Sequence, residues 1–160
     1  MGDAWSVEAI HIAPVAADEV EARDAVEAVA GRGLVGDRYF DGSGTFARWE
    51  RDADRPPGYQ LTLIEAEAVE AIEREAEIAL APGEHRRNIT TRNVPLNHLV
   101  DRRFRIGDVV CIGVRLCEPC AHLQSLTEPG TLDALVHRGG LRADILEDGT
   151  IRRGDRIDLE

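Results

Sequence analysis

Apolar and polar positions alternate over residues 5–13 (WSVEAIHIA), and this pattern predicts a first strand that ends at Pro14. Residues 20–30 (VEARDAVEAVA) carry helix formers yet run into Gly31 with strand-like spacing, and the pattern leaves both open. Five glycines punctuate residues 31–46, which predicts sharp turns or close backbone approaches. Residues 47–59, polar with two prolines and a glycine, predict a surface loop close to any site the glycine segment helps to form. A short strand is expected over 60–64. The clearest helix follows over 65–79, with Val69, Ile72 and Ala76 at helical spacing, Glu70 facing Arg74, and Ala81-Pro82-Gly83 stopping it. Residues 86–94 read as extended. The stretch from Phe104 alternates as a strand pair or a bent strand around Gly107 and Gly113. Short helical pieces broken by Pro129-Gly130 and Gly139-Gly140 follow the cysteines. Three last strand segments, at 141–146, around Ile151 and over 156–159, are separated by Asp148-Gly149 and Gly154-Asp155 turns. Seven or eight short strands with one good helix and no regular strand–helix alternation predict a mainly β fold, a closed or nearly closed β-barrel with a few inserted helices.

No internal repeat or long linker splits the chain, so residues 1–160 are read as one domain, long enough to bury a sizeable core. No stretch approaches the roughly 18 apolar residues of a membrane span, and the N-terminus lacks signal-peptide character. A cytoplasmic protein is expected. The three cysteines are local and odd in number, unlike a secreted disulfide framework.

The stretch 104–120, FRIGDVVCIGVRLCEPC, concentrates the chemistry. Cys117-Glu-Pro-Cys120-Ala-His122 admits three readings: a zinc site completed by His98 or His137, a dithiol redox pair, or a single nucleophilic or ligating thiolate at Cys120 with Cys117 structural or resolving. Two inert buried cysteines are the bland alternative. A following helix start and nearby arginines favour the thiolate form of Cys120. His122 is placed to act as base or hydrogen-bond donor.

Charge sharpens this picture. The net charge is −11, and all 19 basic residues are arginine. Residues 1–80 hold 18 acids against 7 arginines, whereas 81–160 hold 12 of each. Seven of the arginines fall within 86–115. Arginine suits bidentate binding of phosphate or carboxylate. The overall negative charge argues against a nucleic-acid groove. A small anionic ligand in a local positive pocket fits better. Arg86, Arg87, Asn88, Thr90, Arg92 and Arg115 are the candidate binding residues, with His137 and Arg138 as a second polar turn. Strand alternation would set Arg86, Asn88 and Thr90 on one face, with Arg87 and Ile89 on the other. Asp37 and Arg38 are read as a structural pair.

Taken in order, Gly33-Leu-Val-Gly-Asp-Arg38, Leu61-Thr-Leu-Ile-Glu65, Arg87-Asn-Ile-Thr-Thr-Arg92, Phe104-Arg-Ile-Gly-Asp108, Cys117-Glu-Pro-Cys120, Gly140-Leu-Arg-Ala and Gly154-Asp155 resemble the MOSC domain family, the molybdenum-cofactor sulfurase C-terminal domain, over nearly the whole chain. The resemblance is to a small stand-alone member. It implies a β-rich, barrel-like fold and a characteristic cysteine at Cys120. In the family that thiol is proposed to carry sulfur or, in the amidoxime-reducing enzymes, to ligate molybdenum. The resemblance also implies that the Arg87-Asn88 to Arg92 motif contacts the anionic pterin cofactor. It implies a molybdenum-cofactor-binding or sulfur-transfer role, with pyridoxal phosphate binding among the family's associated functions. A cysteine desulfurase or an electron-transfer protein would be the partner. Some stand-alone members reduce N-hydroxylated compounds. With no lysine in this chain, no lysine can contact the cofactor. The competing readings are an oxidoreductase or its cofactor-binding module, a sulfur carrier without metal, a dithiol redox protein without molybdenum, and a non-catalytic ligand-binding barrel.

Overall fold

The structure is a computed structural model, and residues 4–15, 19–40 and 56–160 are described. The alternating segments form strands as the pattern predicts, including both halves of the ambiguous 20–30 stretch. In chain order they are β1 (Ser6–Ile12), β2 (Glu21–Arg23), β3 (Ala25–Val29), β4 (Gly33–Leu34) and β5 (Leu61–Glu65). The helix α1 (Ala66–Ala76) leads to β6 (Ile89–Arg92), a 3-10 turn (Leu96–Leu99), β7 (Arg103–Ile106) and β8 (Val109–Leu116). Two short helices, α2 (Ala121–Leu126) and α3 (Thr131–Leu135), precede β9 (Leu141–Glu147), β10 (Gly149–Arg152) and β11 (Ile157–Leu159). The helix predicted over 65–79 stops earlier. Glu77 takes a left-handed conformation and returns its N–H to Glu73, and Ile78 returns its N–H to Ile72, so both close the last turn.

The barrel expectation is overturned. Eight strands form one open sheet in the order β11-β7-β8-β9-β5-β6-β1-β2, and β10-β3-β4 form a separate three-stranded sheet. A lone bridge between Ser6 and Arg156 ties β1 to the turn before β11 without extending the ladder. The fold is mixed α/β rather than mainly β. β5 and β6 run parallel, joined through α1, so one strand–helix–strand unit sits inside an otherwise antiparallel sheet. The physical reason is pairing choice. Ile151 pairs with Val26 and Thr150 with Glu27, which draws β3 and β10 out of the large sheet. Strand count alone carries no information about that pairing.

The main core lies between the sheets and is built on Ile10, Leu34, Leu63, Ile89, Phe104 and Ile151, all 1% exposed or less. A smaller core of Ile72, Ile78, Leu123 and Leu135 packs α1 against α2 and α3, and Cys120 lies against it. Gly139 and Gly140 bring the loop before β9 into contact with two neighbours. A Cβ on Gly140 would overlap the Leu63 carbonyl oxygen, and one on Gly139 would meet the Cys117 carbonyl oxygen. These two glycines draw β5, β9 and the cysteine segment together at one end of the sheet.

Candidate functional site

At that end lies a cleft. It is lined by Thr62 of β5 and by Arg87 and Asn88, just ahead of β6. Cys117, Cys120 and His122 line it too, together with Arg38, Tyr39, Arg86 and Arg142. The fold thus assembles Cys117, Cys120, His122, Arg86, Arg87 and Asn88 from the expected residues. Their placement differs from the alternation expected of one extended strand. The strand β6 begins only at Ile89, because Arg86 has a left-handed backbone (φ 64°) and breaks the pleat. Alternation therefore does not reach back to Arg86, and Arg87 and Asn88 both border the cleft.

Arg87 is buried and each nitrogen of its guanidinium donates to a carbonyl oxygen. Nε donates to Gly139 at 2.8 Å, Nη2 to Cys117 at 2.9 Å and Nη1 to His85 at 3.3 Å. It holds the cysteine segment and the Gly139-Gly140 loop in place and, among the described residues, forms no ion pair with a carboxylate, so its positive charge remains felt in the cleft. Asn88 is likewise engaged. Its Oδ1 accepts from the Thr62 N–H and hydroxyl, and its Nδ2 donates to the His11 carbonyl oxygen at 3.1 Å. Asp37 anchors the Arg38 side. It accepts from the Ala13 N–H at 2.8 Å and the Tyr39 N–H at 3.3 Å. Burial pushes its carboxyl up, opposed by these N–H donors and by Arg38.

His85 lies 4% exposed beneath Arg87. Its Nδ1 accepts the Arg87 backbone N–H at 3.0 Å, which leaves Nε2 as the protonated nitrogen, 3.3 Å from the Thr90 hydroxyl. Burial, with Arg87 and His11 adding repulsion, lowers its pKa to about 3. Thr90 is thereby tied to His85 and does not face the cleft lining.

Four other expected residues are also elsewhere. Arg92 is bound by Glu8, Glu67 and Glu70 on the surface. His137 is exposed and pairs with Glu118 at 2.8 Å, holding the loop from outside. Arg138 donates to the Ala134 carbonyl oxygen and to Glu75. Arg115 stands beside the cleft rather than lining it, with Nη1 on the Pro57 carbonyl oxygen at 2.9 Å.

The three cysteines are free. Cys111 is fully buried in β8, and burial with nearby Asp144 pushes its thiol far up, so it is chemically silent. Cys117 is 1% exposed, whereas Cys120, the residue capping α2, is half-buried and opens on the cleft. Among the described residues no three His, Cys, Asp or Glu side chains form a metal-binding group, so the zinc reading has no fourth or third ligand set to rest on. Pyridoxal phosphate binding is likewise overturned: no binding cluster is present among the described residues, and the chain has no lysine to form the Schiff base. Among the described residues no helix is long and apolar enough to cross a membrane. Arg38, Tyr39, Thr62 and Arg142 were not singled out for binding by the sequence, although Arg38, Thr62 and Arg142 lie inside the motifs that carry the family resemblance.

Comparison with known proteins places this architecture. The crystal structure of the YuaD protein from Bacillus subtilis superposes with a TM-score of 0.74 at 17% identity, over 97% of this chain and 94% of that one. YiiM from Geobacillus stearothermophilus superposes at 0.66 with 11% identity, over 98% of this chain and 75% of that one. YiiM from Escherichia coli gives 0.65 with 15% identity, over 98% and 68%. At these identities the likeness is one of fold. No curated protein matches the chain. The sequence profile of the MOSC domain matches residues 50–158, more than half of the chain, and the chain therefore belongs to the MOSC domain family, a group linked to molybdenum-cofactor and sulfur metabolism.

Proposed function

We propose that the cleft binds the molybdenum cofactor and that the Cys120 thiolate is the protein's ligand to the metal. The observation that carries this reading is the meeting of one accessible thiol with several guanidinium groups in a single cleft. The donor chemistry fits. A soft thiolate suits molybdenum, and Arg38 and Arg86 suit a phosphate oxyanion by bidentate, charge-assisted hydrogen bonds. The un-neutralised charge of Arg87 adds attraction without spending a donor. Asn88 and Thr62 satisfy each other and keep that part of the lining rigid. His122, two residues after Cys120 on the same rim, is placed to hold or pass a proton. When bound, the metal would supply two-electron redox chemistry, fed by an electron-transfer protein. Free cysteines suit a reducing compartment such as the cytoplasm.

A second reading has its own observation. Cys117 is a free thiol lining the same cleft, so a sulfane sulfur carried on Cys120 would have a resolving thiol beside it. Attack by the Cys117 thiolate on a Cys120 persulfide would form the Cys117–Cys120 disulfide and release hydrosulfide, with a cysteine desulfurase as the original donor. Metal analysis and intact mass on protein purified from cofactor-replete cells separate the two. Stoichiometric molybdenum, lost in Cys120→Ser and kept in Cys117→Ser, is the result expected here. Metal-free protein heavier by one sulfur atom that a reductant removes would replace the first reading with the second.

A further inference from the structure

We infer that Arg115 and Arg142 form a second oxyanion subsite at the mouth of the cleft, built for the phosphate of a phosphomonoester whose planar body lies toward Cys120. The antiparallel register of β8 and β9 sets Arg115 directly opposite Arg142, beside the bulge that follows Gly113. Like charges in that position repel. Among the described residues neither guanidinium forms an ion pair with a carboxylate. Arg115 gives one bond, to the Pro57 carbonyl oxygen at 2.9 Å, and Arg142 one long bond, to the Gly58 carbonyl oxygen at 3.5 Å. With five N–H groups on each guanidinium, most donors meet no acceptor among the described residues. Asp144 is the acid that Arg115 acts on electrostatically, and its Oδ1 is already engaged by the Gly58 N–H at 2.8 Å.

The pair is held in position by the ring of Tyr59, whose centroid lies 5.4 Å from the Arg115 Cζ and 5.0 Å from that of Arg142. Gly58, with φ of 93°, keeps the 57–59 segment close enough that a Cβ there would strike the Arg115 guanidinium. Tyr59 in turn meets Tyr39 at 5.9 Å, and Tyr39 lines the cleft that holds Cys120. Two opposed cations call for a dianion, which a phosphomonoester supplies and a carboxylate does not. The two tyrosines leading inward suit a flat group attached to it.

This inference rests on the reading of the cleft as an anion site, and the test scores it apart from molybdenum. Titration calorimetry of the full chain at low ionic strength, with phenyl phosphate, benzoate and inorganic phosphate as probes, should show saturable binding of phenyl phosphate, tighter than either of the others. Arg115→Gln, at an exposed position, should weaken it about tenfold or more, Arg115→Lys less, and both should keep the wild-type molybdenum content. In the unliganded protein the melting temperature of Arg115→Gln should hold or rise, since a repulsive pair is relieved, while phenyl phosphate raises it only in the wild type. The inference is overturned if phenyl phosphate does not saturate, if benzoate binds as tightly, or if Arg115→Gln binds like the wild type. Wild-type protein without molybdenum that still binds phenyl phosphate through Arg115 would sink the cofactor reading alone.

Discussion

Two groups of arginines lie on the same large sheet and meet opposite fates. Arg87, just ahead of β6, and Arg92, its last residue, are spent on the protein itself, Arg87 on three carbonyl oxygens and Arg92 on three glutamates. Arg115 and Arg142, across β8 and β9, meet no carboxylate and one carbonyl oxygen each among the described residues. The residue type is the same. What differs is whether the fold brings an acceptor. Arginine crowding marks a place where anions are needed, and the partner that arrives decides whether the anion is internal or a ligand. The spent group should therefore report on stability and the unspent group on binding, and each part of the spent group can be broken separately.

The largest effect is expected from acid. His85 holds the turn beneath Arg87 in its neutral form, with its pKa lowered to about 3 by burial first and by Arg87 second. The unfolded chain takes up the proton below its ordinary value of 6.5, and the folded chain does not until about 3. The unfolded state thus binds more protons in between. Stability from this group is full above pH 6.5 and is lost as pH falls toward 3, by about 2 kcal/mol between pH ~7.5 and ~5 and about 5 kcal/mol at the limit. Urea midpoints measured across that range should fall with acid in the wild type. His85→Asn, whose side-chain oxygen can still accept the Arg87 N–H, should fall less. Parallel curves would mean that His85 is not the group being charged.

Next comes Arg87 itself. Arg87→Ala leaves the carbonyl oxygens of His85, Gly139 and Cys117 without their donor, and each buried orphan costs about 1–3 kcal/mol before water refills the space. A net loss of about 3 kcal/mol is expected, with Arg87→Lys rescuing little because an ammonium cannot reach three divergent acceptors. Thermal or urea unfolding gives the number. Faster alkylation of Cys117, now released from its tether, should accompany it. A variant as stable as the wild type would show that Arg87 is free to serve a ligand after all.

How much of this was legible beforehand follows the same division. Strands and α1 could be read because alternation and helical spacing are local properties of β5, α1 and β8. Closure could not, because it depends on β3 choosing β10, a partner more than 120 residues away, over a place in the large sheet. Cys120 and the Arg86–Asn88 run stood out by residue type. Arg38, Tyr39, Thr62 and Arg142 did not, since they meet only through the order of strands and the two glycines before β9. The acceptors of Arg92 and Arg87 could not be read for one reason. These partners, Glu8 at 84 residues' remove and Gly139 at 52, are invisible to any window around β6. The loop over 47–59 was expected beside the site. Residues 41–55 lie outside the described ones, while 57–59 do stand against Arg115 and Arg142.

The smallest effect belongs to Arg92, and its size tests the idea that burial separates the two spent arginines. Its guanidinium contacts Glu8 at 2.9 Å and Glu70 at 2.8 Å with Glu67 close behind, and the glutamates hold its pKa well above the usual value. Yet the side chain is 31% exposed and its partners more so, and solvent and salt screen what geometry offers. Arg92→Ala should therefore cost about 1 kcal/mol, most of it gone in molar salt, with phenyl phosphate affinity and molybdenum content unchanged. The loss should exceed that of a single surface pair, because three carboxylates from β1 and α1 are left facing one another when the cation goes. A large, salt-insensitive loss would instead place Arg92 with Arg87, and a loss of molybdenum would return it to the binding role that its sequence motif suggested.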